Sequence, residues 1–392
     1  MSCSCIFNPH YGEALRFPVD LSVDAAERAR AFHRGIDGYA PTPLHSLDAL
    51  AASVGVAKIY VKDESKRFGL NAFKALGGSY AIARCLCEEL GIPLDENSFA
   101  RLRSEEYANK VRGRTFVTAT DGNHGRGVAW AAKMLGSRAV VYLPQGTVEE
   151  RLGNILALGA AAEITAMNYD DTVRHAKEMA AEKGWTLVQD TAWPGYERIP
   201  GFIMQGYLTM VAEIKEQLGG DIPTHLFLQA GVGSMAAAVA GGCRALWGEE
   251  CPRIVIVEPD KADCLYRTAL ADDGTLHTVS GAMDSMMAGL CCGEPCTIAW
   301  EVLRPLATAF VSMDDSYAAL GMRALGLPKG GDPAIVSGES GAASTGAALG
   351  LLTAPELAGY RERLGPDARA RVLLISTEGD TDRENYRRVL AE

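Results

Sequence analysis

Apolar residues along this 392-residue chain recur with two periods in alternation. Short runs rich in β-branched and aromatic residues predict strands at Lys58–Lys62, Thr115–Ala119, Ala139–Leu143, Ala161–Thr165, Thr186–Gln189, Leu226–Leu228, Ile254–Val257, Ala309–Ser312 and Arg371–Ser376. Between most of them, apolar positions three and four apart predict helices, as at Gly125–Leu135, Asp170–Lys183, Ile203–Leu218 and Met235–Trp247. Alternation of this kind predicts an α/β fold of parallel sheets covered by helices, with ligands bound where loops leave the carboxyl ends of strands. One polar stretch, 95–113, interrupts the pattern and reads as an exposed excursion with little structure. No internal repeat is visible.

Composition narrows the class. A hydrophobic fraction of 48%, a charged fraction of 22% and 42 glycines describe a globular enzyme with many tight turns, long enough for two domains. A net charge of -11 without clustered Lys/Arg excludes a nucleic-acid partner, and no apolar run predicts a membrane span. The N-terminus lacks the basic start and apolar core of a signal peptide, so the expectation is a cytoplasmic protein whose ten cysteines are thiols. Cys85 and Cys87 have C-x-C spacing and Cys291, Cys292 and Cys296 share a loop-like stretch, but nothing completes a zinc pattern and no metal is expected. A disulfide from Cys264 to Cys291 or Cys292 stays open as a minor alternative.

The chemistry-bearing residues gather at strand-to-helix junctions. Lys74 follows a strand-like stretch, where a helix begins, with Phe73, Ala75 and Leu76 beside it; burial there would lower the amine's pKa and make it nucleophilic, the bland alternative being a solvated surface lysine. In Thr118–Gly127, backbone N–H groups around Thr120, Asp121, Gly122, Asn123 and His124 can hold a carboxylate, and glycines at 122, 125 and 127 suggest a backbone kept bare for a ligand. The same segment also reads as a helix capped by Asp121 or Asn123. Gly231-Val232-Gly233-Ser234-Met235 suits a phosphate, or close helix–sheet packing; Ala236 stands where a full G-x-G-x-x-G needs glycine. Ser376, with Thr377 after it, could hydrogen-bond a neutral ring nitrogen, or the segment simply caps a helix. Glu339, in Ser337–Ala343, either approaches a cofactor or caps a helix. Asp190 lies just past a strand with Trp193 and Tyr196 nearby, and could equally be a surface turn aspartate.

In chain order, a lysine after Asn-x-Phe, a T-x-G-N-H-G loop, a G-V-G-S loop and a late Ser-Thr-Glu-Gly-Asp-Thr-Asp resemble the tryptophan-synthase-β, or fold type II, family of pyridoxal-phosphate enzymes over nearly the whole chain. Within it, the closest resemblance is to ammonia-lyases acting on 2,3-diaminopropionate, carried by 68–79, 120–125, 189–193, 233–235 and 376–382. The resemblance implies two open sheets with the cofactor in an interdomain cleft. It implies a discontinuous cofactor-binding domain at 1–75 and 194–392, a small mobile domain at 76–193, and a homodimer. It further implies Lys74 as the Schiff-base lysine, Phe73 beside it, Asn123 on the ring hydroxyl, 231–235 on the phosphate, Glu339 near the cofactor and Ser376, or second Thr377, on the ring nitrogen. Thr120, Asp121, Gly122, His124 and Asp190 would contact substrate.

The family commonly has Ser and Ala or Gly where this chain has Thr120 and Asp121. An extra carboxylate has no obvious use on a neutral hydroxy-amino acid, but Asp121 and Asp190 could attract and orient a β-ammonium; two unit charges about 4 Å apart interact by roughly 4 kcal/mol at an effective dielectric near 20. The resemblance implies turnover of both D and L forms of 2,3-diaminopropionate, with Asp121 as base for D and Asp190 for L. A serine/threonine deaminase of the same fold is the main alternative; only sixteen residues follow Ser376, leaving no room for a C-terminal regulatory domain. A β-replacement synthase, a non-catalytic cofactor carrier and a nicotinamide-dependent oxidoreductase are further alternatives.

Overall fold

The computed structural model describes residues 1–120 and 122–392. Among them, eleven strands form two sheets. The strands are β1 (Cys3–Phe7), β2 (Leu44–Ser46), β3 (Lys58–Asp63), β4 (Thr115–Ala119), β5 (Arg138–Leu143), β6 (Ala161–Ile164), β7 (Thr186–Leu187), β8 (His225–Gln229), β9 (Arg253–Pro259), β10 (Ala307–Met313) and β11 (Arg371–Ser376).

The chain divides into two compact units. The first is Met1–Pro18, Pro41–Ala72 and Glu213–Glu392; the second is Val19–Ala40 and Phe73–Ala212. Val19–Ala40 and 194–212 thus group with the four-stranded sheet in the second unit, not with the larger body to which the sequence reading assigned them.

The first unit holds a seven-stranded sheet in the order β1-β10-β9-β8-β11-β3-β2. Its five inner strands are parallel, while β1 pairs β10 and β2 pairs β3 antiparallel. The two antiparallel edges were not foreseen, because Cys3–Phe7 and Leu44–Ser46 are only partly buried and carry no continuous apolar run. β8 and β11 are neighbours, so the loops that leave Gln229 and Ser376 start side by side on the sheet's carboxyl edge. Below them lies the helix Glu339–Thr353, buried on every side; its small residues let the helix Asp315–Gly326 come close, a Cβ on Gly346 falling 1.8 Å from the Tyr317 carbonyl oxygen.

At the carboxyl end of β3 the interior is ionic. Lys62 Nζ lies 2.6 Å from Glu213 Oε2 and 2.8 Å from both Gln217 Oε1 and the Thr42 carbonyl. Arg67 reaches Glu213 Oε1 at 2.7 Å and Glu64 Oε1 at 2.8 Å, and none of these four charged side chains is exposed. Two cations and two carboxylates balance, which is the condition for burying them. The chain then runs through positive φ at Phe68 (49°) and Asn71 (57°), where Asn71 accepts from the Gly379 N–H at 3.0 Å and donates to Asp380 Oδ1 at 3.2 Å.

The second unit holds a fully parallel four-stranded sheet, β6-β5-β4-β7. The 95–113 stretch is not structureless: it forms helices Ser98–Leu102 and Glu105–Arg112, anchored by buried Phe99, Leu102 and Val111. Few apolar residues suffice here, because each is spaced to face inward. Among the described residues no helix is long and apolar enough to cross a membrane.

Candidate active site

In the second unit, the helix Ala75–Leu90 starts at Lys74, and the helix Asn123–Leu135 packs against that start. The approach is close enough to demand glycine: a Cβ on Gly127 would lie 3.0 Å from the carbonyl carbon and oxygen of Lys74 and from the Ala75 nitrogen. A Cβ on Gly125 would meet the Thr120 and Val141 side chains at 2.4 and 2.6 Å. Gly125 and Gly127 are therefore required for packing, which corrects the reading that they keep the backbone bare for a ligand. The cap also differs from expectation. Gly122, with φ 142°, occupies the cap position, and Thr120 Oγ1 accepts from the N–H groups of Gly122 (2.9 Å) and Gly125 (3.1 Å), while Asn123 is the first helical residue. Asp121 lies outside the described residues.

Three ionisable side chains meet here. Lys74 Nζ pairs with Asp190 Oδ2, and His124 Nδ1 is 3.7 Å from the same oxygen. His124 Nε2 is 2.7 Å from the Val188 carbonyl, so Nε2 carries a proton and donates it there. Asp190 is almost fully buried, so it is no surface turn aspartate. Burial by itself would raise its carboxyl, but the charges of His124 and Lys74 and the Lys74 hydrogen bond outweigh that and hold it at about 2. Lys74 is partly exposed, with Phe73 buried beside it and its ring tilted against that of Tyr207, centroids 4.8 Å apart.

In the first unit, Gly233 (φ 100°) caps the helix Ser234–Trp247. A glycine cap offers no side-chain acceptor to the first-turn N–H groups, which suits them to an anion. The carbonyls of the loop turn the other way: Gly231 O accepts the Cys264 thiol at 3.9 Å and Val232 O accepts the Cys296 N–H at 2.9 Å. Val232 and Met235 are buried, and a Cβ on Gly231 would press on Cys292 Sγ at 3.1 Å. The Cys291 thiol donates to the Met287 carbonyl at 3.5 Å; Cys264 and Cys291 thus act as S–H donors rather than disulfide partners.

Ser376, at the end of β11, is fully buried and donates to Ser337 Oγ at 2.7 Å. Thr377 Oγ1 accepts from Gln229 Nε2 at 3.0 Å. Glu339 opens its helix and accepts from the Asn385 side chain. Sequence reasoning passed over Ser337 as the partner of Ser376 and gave Gln189 no role. A polar residue closing an apolar run, as in Thr186-Leu-Val-Gln189, was the available signal.

The matched family model is that of pyridoxal-phosphate dependent enzymes, over residues 36–378. The chain is 52% identical over 374 residues to the diaminopropionate ammonia-lyase of Escherichia coli (strain K12), covering 95% of this chain and 92% of that protein. It belongs to the diaminopropionate ammonia-lyase family of pyridoxal-phosphate dependent enzymes. The Salmonella typhimurium (strain LT2) enzyme of the same name is 50% identical over 93% of this chain and 92% of its own. The Escherichia coli enzyme in complex with an aminoacrylate-PLP azomethine reaction intermediate superposes with a TM-score of 0.90 at 49% identity, over 99% of this chain and 97% of that one. A threonine deaminase from Solanum lycopersicum, at 18% identity and a TM-score of 0.74 over 99% of this chain and 96% of that one, shares the fold. The fold is therefore type II, as expected.

Each unit carries donors whose chemistry suits the family's cofactor. A partly exposed amine at a helix start, a glycine-capped helix and a buried serine hydroxyl are groups that can hold an aldehyde carbon, a phosphate and an uncharged ring nitrogen.

Proposed function

We propose that this enzyme eliminates ammonia from 2,3-diaminopropionate and that the enamine released hydrolyses to pyruvate and a second ammonia. The observation that carries the reading is the buried Asp190 carboxylate on Lys74, in a chain half identical to diaminopropionate ammonia-lyases. Lys74 would hold pyridoxal phosphate, the 231–235 loop its phosphate, Asn123 its ring hydroxyl and Ser376 its ring nitrogen. When bound, the cofactor supplies an electron sink for the α-carbanion.

The rest falls to the chain. Asp190, ionised at neutral pH, attracts the β-ammonium and takes the α-proton of the L form on its carboxylate. Asp121 does the same for the D form. The leaving nitrogen is already protonated, so it departs as ammonia without a further acid. A hydroxy-amino acid offers these carboxylates no cation, which weighs against a serine/threonine deaminase, as does an identity to threonine dehydratases about half that to diaminopropionate ammonia-lyases. We place the enzyme in the cytoplasm as a homodimer; its ten cysteines suit a reducing compartment.

The test is pyruvate release from D- and L-2,3-diaminopropionate, D- and L-serine and L-threonine by the wild type and by Lys74→Ala. Both diamino acids should be consumed fastest and Lys74→Ala should be inert. Threonine turned over faster than either diamino acid would sink the reading.

A further inference from the structure

Gln189 is fully buried between β4 and Asp190. β7 ends at Leu187, and Val188 makes one more main-chain bond to Val117 at 2.8 Å. From there the side chain of Gln189 takes over the ladder. Its Oε1 accepts from the Ala119 N–H at 3.0 Å and from Thr118 Oγ1 at 3.0 Å. A backbone N–H can only donate, so the atom facing it is the oxygen, and this settles the orientation of the carboxamide. Nε2 is thereby turned toward the Tyr169 hydroxyl at 3.1 Å and Asp190 Oδ1 at 3.4 Å. The backbone of Gln189 is pinned too: its N–H donates to Tyr196 Oη at 2.9 Å, and that hydroxyl donates to the Leu187 carbonyl at 2.8 Å.

We propose that Gln189 is a positioning residue for the base, its locked carboxamide holding Asp190 Oδ1 so that Oδ2 faces the Lys74 amine and receives the α-proton of the L substrate. The inference rests on the function proposed above. At 3.4 Å the Gln189–Asp190 contact is long, so its effect is on aim more than on energy. It also references the base to β4, the strand that leads directly into 120–125. The charged and titratable groups around Asp190 are Lys74, His124, Tyr169 and Tyr196, with Asp121 outside the described residues. Replacing the amide by a carboxylate adds a negative charge on the Oδ1 side, which favours a protonated Asp190.

The experiment compares Gln189→Met and Gln189→Glu with the wild-type holoenzyme on L- and D-2,3-diaminopropionate across pH. For the L form, Gln189→Met should lower kcat about tenfold with KM changed less than threefold, and Gln189→Glu should move the acid limb of kcat/KM upward by about one pH unit. Turnover of the D form should stay within twofold for both variants. Parallel losses on both enantiomers, the mark of a merely structural role, overturn the inference. Wild-type protein that makes no pyruvate from either enantiomer defeats the functional reading alone. A crystal structure of Gln189→Met then decides the inference: a reoriented Asp190 carboxylate upholds it and an unchanged rotamer overturns it.

Discussion

Replacing Glu213 by Gln would unbalance the buried charges at the end of β3. Glu213 is the shared anion of the cluster, 2.6 Å from Lys62 and 2.7 Å from Arg67, with no exposure on any of the three side chains. Its loss leaves two buried cations facing Glu64 alone. Breaking one partner of a buried pair costs about 3–5 kcal/mol, a large share of the roughly 5–15 kcal/mol that holds a typical protein folded. For a unit of this size the thermal midpoint should fall on the order of 10 °C, at roughly 2–4 °C per kcal/mol.

The reasoning concerns charge balance rather than a lost contact, so the informative variant is the double one. Lys62→Met with Glu213→Gln removes one charge of each sign, leaves Arg67 with Glu64, and should recover most of the loss, with a coupling of more than about 1.5 kcal/mol in the double-mutant cycle. Acid sharpens the test. Burial alone would raise the Glu213 carboxyl, but Arg67 and Lys62 outweigh it and hold it well below its ordinary 4.5. A folded-state value below the unfolded one gives stability that is present above pH 4.5 and lost as pH falls through the folded value, so the gap between wild type and Glu213→Gln should close in acid. The assay is urea unfolding followed by circular dichroism at several pH values. A single-variant loss below about 1 kcal/mol, or losses that simply add in the double variant, would refute the argument.

Two further outcomes follow from the second unit. Gly127→Ala should gain about 1 kcal/mol of helix propensity but push its new methyl against the Lys74 peptide at 3.0 Å, so kcat should drop several-fold or more while the melting temperature moves only a few degrees; steady-state kinetics beside thermal melts check it. Asp190 is held at about 2 against an ordinary 3.8, so in protein stripped of cofactor it should contribute about 2 kcal/mol above pH 3.8, lost as pH falls toward 2. Asp190→Asn should flatten acid unfolding over that interval, and an unchanged acid profile would remove the Lys74–Asp190 pair from the account.

The nine strands anticipated from apolar runs all form; seven are inner strands, which are apolar because both faces are covered, while β6 and β7 edge the four-stranded sheet. The 231–235 loop was legible for a related reason, since it sits where β8 stops and a helix begins; Lys74 opens a helix but stands well past the end of β3 at Asp63, and Asp190 lies between β7 and the helix Arg198–Leu218. The edge strands β1 and β2 and the 95–113 helices were not legible, since their burial depends on neighbours distant in sequence.

Some roles needed coordinates altogether. Gly125 and Gly127 looked like a ligand loop and proved to be packing contacts, and Thr120 supplies a side-chain acceptor at the helix start. The pairing of Ser376 with Ser337 and the charge balance among Lys62, Glu64, Arg67 and Glu213 join residues far apart along the chain. Local periodicity carries the sequence-legible part, because strands and helices bury one face at a fixed spacing. The orientation of Asp190 depends instead on which side chains converge on it, and that convergence exists only once the sheet has formed.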